Sequence, residues 1–230
     1  MWRRRLVGAA MVALQLWQAP AASASPPLSS VDALGPGVGV LTLDAGLADA
    51  DTCTAGFLVR GKGGRSGILM ADHCDKGGPV TIKLAGTDYT RIGSFDGALR
   101  RGDIGFVALA PGVPVSGAIA GVGPVSGATD RIAMGDVLCK VGLPTGLQCG
   151  PVTGITPDTV TFAATTQCGD SGGPVYTVRP DGSLAAVGIL SAQTMGEGTI
   201  APPCGTPFTF AIAQRLQPWL RATAMSVVTT

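Results

Sequence analysis

Gly169-Asp170-Ser171-Gly172-Gly173-Pro174 is the stretch from which this chain is read. It places one serine among glycines, whose backbone freedom lets amide N–H groups converge on a single point. A hydroxyl so placed suits attack on an acyl carbon, provided that a base takes its proton and a third group orients the base. The chain has a single histidine, His73, in Ala71-Asp72-His73-Cys74, so any imidazole-dependent mechanism runs through it. For the third group the reading selects Asp103, which opens the apolar run Ile104-Gly105-Phe106-Val107-Ala108-Leu109 and would be carried by a strand into a desolvated interface. Asp96 and Asp88 are the alternatives, and Asp96 lies in a polar turn that would expose it.

Chain order separates the rival serine hydrolases. The same residues satisfy a G-x-S-x-G nucleophile elbow, but in that α/β fold the histidine follows the serine, and here none follows position 73. Subtilisin order needs an aspartate before the histidine; Asp44, Asp49 and Asp51 are available, but the serine there lies in a different local setting and that fold is helix-rich. The order histidine, aspartate, serine is the one that fits.

Working outward, short apolar runs recur between turn residues, which predicts an all-β protein. Strands are expected at 38–43, 55–59, 67–71, 80–84 and 104–109 in a first half, and at 137–141, 152–155, 160–163, 174–178, 185–191 and 208–212 in a second. The uncharged Gly-, Pro- and Ser-rich stretch 110–129 is the expected connection. Ile212, Leu216 and Leu220 recur at helical spacing, with Pro218 predicting a short or kinked helix, and 226–230 reads as a loose tail. The expected organisation is a leader over 1–24, an N-terminal segment over 25–37, a first barrel over 38–115, a second barrel with its helix over 116–222, and a tail over 223–230.

The leader carries Arg3-Arg4-Arg5, an apolar run from Leu6 to Trp17 and Ala22-Ser23-Ala24, the pattern of a secretory signal peptide cleaved after Ala24. The expected product is secreted, in the extracellular or cell-envelope space, with no stable membrane association. Without the leader the 16 basic residues fall to 13 against 15 acids, a net charge of −2. That balance favours neither nucleic acid nor a membrane surface as partner.

Six cysteines in a chain addressed to an oxidising space read as disulfides rather than metal ligands. They allow about 15 pairings; joining sequence neighbours (Cys53 with Cys74, Cys139 with Cys149, Cys168 with Cys204) closes three modest loops.

Taken together, Cys53-Thr54-Ala55-Gly56-Phe57, Ala71-Asp72-His73-Cys74, Asp103-Ile104-Gly105-Phe106 and the Ser171 motif resemble the chymotrypsin-like serine proteases over most of residues 38–220. The run from Cys139-Lys140-Val141-Gly142 to Cys149-Gly150 resembles their compact secreted bacterial, streptogrisin-like branch. The resemblance implies two antiparallel six-stranded β-barrels, with His73 and Asp103 on the first and Ser171 on the second. It implies bridges Cys53–Cys74 and Cys168–Cys204 beside the site, and an oxyanion hole from the amides of Gly169 and Ser171. It also implies a substrate-pairing edge at Ser191-Ala192-Gln193, with Thr165, Thr166 and Gln167 leading into the nucleophile as further substrate-binding residues.

The chain departs from that family's pattern at four places: Asp72 stands where a small residue is usual, Gly105 where alanine is common, and Gln193 where glycine is common, while Cys168 directly abuts Gly169. Side chains adjacent on extended backbone diverge, so Asp72 is expected not to touch His73. With no Ile-Val-Gly-Gly start after a basic residue, Asp170 needs an internal counter-charge; Lys140 is the first candidate and Arg131 the second, although a strand lysine also fits the surface. The expectation is a monomeric serine endopeptidase without cofactor, acting on protein or peptide and preferring small or medium apolar side chains. An inactive binding protein and an esterase on the same fold are the alternatives.

Overall fold

The computed structural model describes residues 30–191 and 207–229. The leader, Ala192, Gln193 and Cys204 lie outside the described residues. The chain forms β1 (Gly39–Asp44), β2 (Ala50–Thr54), β3 (Leu58–Gly61), β4 (Ser66–Ala71), β5 (Gly77–Lys83), β6 (Tyr89–Phe95) and β7 (Ile104–Leu109). There follow β8 (Ala118–Ile119), β9 (Gly123–Ala128), β10 (Val137–Gly142), β11 (Gly146–Ile155), β12 (Thr159–Phe162), β13 (Pro174–Val178), β14 (Leu184–Leu190) and β15 (Ala211–Arg215). α1 (Leu216–Thr223) and β16 (Met225–Val227) end the chain.

Two sheets result. In the second, the order β13-β10-β11-β12-β15-β14 is closed by β13–β14 pairing into a six-stranded barrel. The parallel β9 joins β14 outside that ring. The first sheet runs β16-β3-β4-β7-β6-β5-β1-β2 and curls without a full closing ladder. Its ends meet through a bend at 55–57, where Gly56 N–H donates to Leu69 O at 2.8 Å and Leu69 N–H to Phe57 O at 2.9 Å. The first of the two expected six-stranded barrels is therefore a curled sheet, in which one continuous segment, 50–61, supplies β2 at one edge and β3 beside the other. The stretch 110–129 carries β8 and β9 rather than a plain connection.

Strand alternation distributes the apolar side chains among three cores. Val107, Ile68, Met70 and Leu58 fill the first sheet. Leu138, Val160, Phe162, Val175 and Val187 fill the second. The opposite faces of the same strands supply Ile104, Phe106, Leu69 and Phe57, which meet Val141, Tyr176, Ile189 and Trp219 in a cluster joining the two sheets. That shared core fixes the seam along which the site lies.

The C-terminus corrects two expectations. Ile212 belongs to β15, and the helix begins at Leu216, which puts Pro218 in its first turn. An N–H there has no intrahelical acceptor, so proline costs no hydrogen bond. Residues 225–227, read as a loose tail with their neighbours, pair with β3 and bury Met225 and Val227.

Candidate active site

β4 and β7 are neighbours, with Ala71 opposite Ile104, so the residues just beyond that end, His73 and Asp103, come together. β13 and β14 are neighbours in the other sheet, with Pro174 opposite Ile189, which places Ser171 and Ser191 at one end. The seam brings the two ends against each other: Thr54 N–H donates to Ser171 O at 2.8 Å, and Cys74 Sγ lies 4.0 Å from the same oxygen.

The Ser171 loop is held by its backbone. Asp170 N–H donates to Gln167 O, Gly173 N–H to Asp170 O and Gly172 N–H to Leu190 O. Among the described residues the N–H groups of Gly169 and Ser171 have no acceptor. Gly172 has φ +89°, and a Cβ there would sit 2.4 Å from Thr54 O, so the approach of the two sheets requires glycine. Thr54 was missed as a functional position, although it stands inside the cysteine motif. Its Oγ1 donates to Gly169 O at 2.7 Å and accepts from Leu143 N–H at 2.9 Å, tying the loop to the opposite sheet.

Under the loop, Asp170 and Lys140 are both sealed from solvent, with Nζ 3.0 Å from Oδ2. Asp170 also accepts from Thr145 Oγ1 at 2.6 Å and from Gln167 N–H at 3.0 Å. Lys140 is thus the counter-charge, and Arg131 is exposed. Burial pulls the Lys140 ammonium below its ordinary value, against the opposing pull of Asp170.

His73 sits in the 3₁₀ turn Asp72–Cys74. Its Nδ1 is 2.8 Å from Asp103 Oδ2, and its backbone N–H donates to Asp103 Oδ1 at 2.9 Å. With the carboxylate on Nδ1, that nitrogen carries the proton and Nε2 is left as the acceptor. Burial pushes Asp103 up, but hydrogen bonds and charge from His73, with the Ser191 hydroxyl, hold it below the usual carboxylate value. No hydrogen bond joins His73 to Ser171 Oγ among the described residues. Catalytic hydrogen bonds of this type are commonly long in unliganded sites and tighten with substrate.

The substrate-binding expectations divide. Ser191 is fully buried; its Oγ donates to Asp103 Oδ2 and its N–H to Ile212 O, so its side chain supports the aspartate rather than facing outward. Thr166 is 2% exposed and its hydroxyl donates to Phe210 O, which makes it a wall rather than a contact surface. The Thr165 carbonyl accepts from Thr145, and the Gln167 side chain is half-buried beside the loop. Cys53–Cys74 and Cys139–Cys149 are bridged, and Cys168 is disulfide-bonded. A cavity of about 260 Å³ lies between Arg101-Gly102 and Gln214-Trp219 with neither His73 nor Ser171 in its wall; it is a gap in the seam and not the cleft beside the serine.

No protein-family model matches the sequence, and no curated protein matches it. Solved structures do match. Thermobifida fusca Protease A aligns with a TM-score of 0.60 at 22% identity, over 86% of this chain and 100% of that one. A glutamic acid specific serine protease aligns at 0.62 and 23%, over 85% and 100%. Nocardiopsis protease aligns at 0.59 and 22%, over 84% and 97%. The fold is therefore chymotrypsin-like, in the form taken by these bacterial serine proteases.

Proposed function

We propose that this protein is a secreted serine endopeptidase. Ser171 Oγ attacks the carbonyl carbon of a peptide as His73 Nε2 takes its proton. The negative oxygen that forms is held by the N–H groups of Gly169 and Ser171. Collapse of the tetrahedral species breaks the C–N bond, and His73 returns the proton to the departing amine. Water, deprotonated by His73, then attacks the acyl carbon; the ester bond to Ser171 Oγ breaks, and His73 gives the proton back to the serine. Asp103 keeps Nδ1 protonated and stabilises the imidazolium formed in each half. The carrying observation is the 2.8 Å contact of His73 with Asp103, on a turn packed against a serine loop in which the N–H groups of Gly169 and Ser171 have no acceptor among the described residues. Losing one such donor typically costs about 100- to 1,000-fold in turnover.

Disulfides and the leader pattern support the oxidising, extracytoplasmic location. The substrate expected is a protein or peptide cut beside a small or medium apolar side chain. Asp170 is neutralised by Lys140, so that carboxylate does not attract Arg or Lys side chains. One neighbour uses a histidine triad in substrate binding; this chain has one histidine, so it has no such triad.

A fluorophosphonate probe tests the reading. Stoichiometric labelling of the wild type but not of Ser171→Ala is the expected result, and a folded wild type that takes no label would leave the inactive binding protein. Paired peptide and ester substrates separate the endopeptidase from an esterase.

A further inference from the structure

Two of the unusual positions in the sequence meet in space. Asp72 begins the turn that carries His73, and its N–H donates to Asp103 O at 3.1 Å. Its carboxylate lies over β7 where a side chain at Gly105 would stand: a Cβ on Gly105 would be 3.0 Å from Asp72 Oδ1 and 2.7 Å from the Phe95 ring. The bare glycine makes room for the acid.

Arg100 completes the arrangement. Its Nε lies 3.1 Å from Asp72 Oδ1, and its other end pairs with Asp75 Oδ2. The Nε contact is ionic and out of line for a hydrogen bond, so Asp72 Oδ1 is buried without one. Asp72 and His73 make no hydrogen bond with each other among the described residues, yet they share one turn and one electrostatic field. Burial pushes the Asp72 carboxyl above its usual value; Arg100 opposes this, and the charges of Asp103 and His73 act on it as well. Coupling between titrating groups is reciprocal, so what His73 does to Asp72, Asp72 does to His73.

Among the described residues the charged groups around the imidazole are few. Its own turn supplies Asp72 and Asp75, and the segment leading into β7 supplies Arg100 and Asp103. Lys76 is paired with Asp49 and Asp51, the serine loop brings Asp170 already paired with Lys140, and the end of β14 brings the neutral Ser191.

We propose that Asp72, clamped by Arg100 in the space left at Gly105, is a positioning residue that sets how readily His73 accepts a proton. The carboxylate favours the imidazolium, and Arg100 moderates it. This deepens the protease reading and rests on it for its catalytic meaning, but its first readout does not need activity.

His73 is the chain's only histidine, so its ring proton gives a single NMR titration curve in the intact protein. Asp72→Asn removes the acid and is expected to lower the midpoint, weakening proton affinity about two- to tenfold. Arg100→Gln leaves Asp72 and Asp75 uncompensated and is expected to raise it by a similar factor, and Arg100→Lys to restore it. The acidic limb of fluorophosphonate labelling is expected to move in the same opposed directions. Midpoints that move together, or stay in place in either folded variant, overturn the proposal. Should Asp72→Asn not fold, the Arg100 pair of variants decides alone. A wild type that binds no probe but shows the opposed NMR shifts refutes the protease reading while leaving the coupling intact.

Discussion

Lys140 Nζ lies 3.0 Å from Asp170 Oδ2 beneath the loop that carries Ser171, with both side chains fully sealed from water. An ion pair in that position contributes little net stability against an apolar pair of the same shape, but breaking it strands a charge. Its value is positional: Asp170 stands between Gly169 and Ser171, whose amides have no acceptor among the described residues.

Lys140→Met is therefore expected to cost about 3–5 kcal/mol in urea unfolding. Adding Asp170→Asn to it is expected to be non-additive by about 0.5–3 kcal/mol, because the stranded charge is gone. Both variants should label poorly with fluorophosphonate, since the loop loses its anchor. Undiminished labelling in the double variant would show that the anchor is not needed.

The second prediction concerns Asp103. Its folded-state value is depressed by His73, with help from Ser191, so its contribution to stability is complete above the ordinary carboxylate value near 4. As pH falls through the depressed folded value, that contribution disappears. Urea midpoints followed downward from pH 5 should fall steeply in the wild type and more gently in Asp103→Asn. Ser191→Ala removes a hydrogen bond to a charged group, with a loss of about 1.5–3 kcal/mol, and should narrow the same window. If Asp103→Asn falls as steeply as the wild type, the carboxylate is not the group responsible.

The third contrasts two glycines with positive φ. Gly172→Ala would drive a methyl to 2.4 Å from Thr54 O, between the sheets, whereas at Gly86, with φ +75°, nothing lies within 4 Å of the new Cβ. Gly86→Ala should cost only the left-handed backbone penalty, about 1–2 kcal/mol, with labelling unchanged. Gly172→Ala should lose considerably more stability and most labelling, since Ser171 must move with its neighbour. Equal losses in the two variants would sink the close-approach argument.

Which parts of this protein were legible in the sequence follows from what makes each part stable. β7 and β13 were read to the residue because Ile104–Leu109 is an uninterrupted apolar run and Pro174–Val178 is apolar but for Thr177, each following a turn. β2, β6 and β9 were passed over: Ala-Asp-Thr-Cys-Thr, Tyr-Thr-Arg-Ile-Gly-Ser-Phe and Gly-Pro-Val-Ser-Gly-Ala carry little apolar periodicity and become strands by pairing with neighbours. His73 and Ser171 stood out because each sits in a dense local motif, and Asp103 because it opens a strand. Thr54 lies within a motif, but its role, like that of the inward-facing hydroxyl of Ser191, is set by partners across the seam and leaves no local signal. The match of Asp72 to Gly105 was visible only as two separate oddities until the turn and β7 were seen side by side.

The last prediction concerns the chain end. Met225–Val227 pairs with Gly61, Arg60 and Val59 at the edge of the first sheet, although the helix before it packs in the core shared by both sheets. The polypeptide therefore returns from the second half to the first after Trp219, whose indole N–H donates to Leu99 O at 3.1 Å. Leu99 lies four residues before Asp103, so the helix and the last strand together hold the loop that leads into the aspartate. Met225 and Val227 are each 8% exposed, and burial of such side chains is worth about 1.5–3 kcal/mol apiece as an upper figure. A chain stopped after Ala224 should lose about 3–6 kcal/mol, seen as a lower Tm, and expose the β3 edge to self-association. Deleting the sequence from residue 229 onward should change nothing measurable, because the last paired residue of the ladder is Val227. An unaltered Tm after the longer truncation would mean that β16 is a dispensable tail and that the first sheet holds its edge without it.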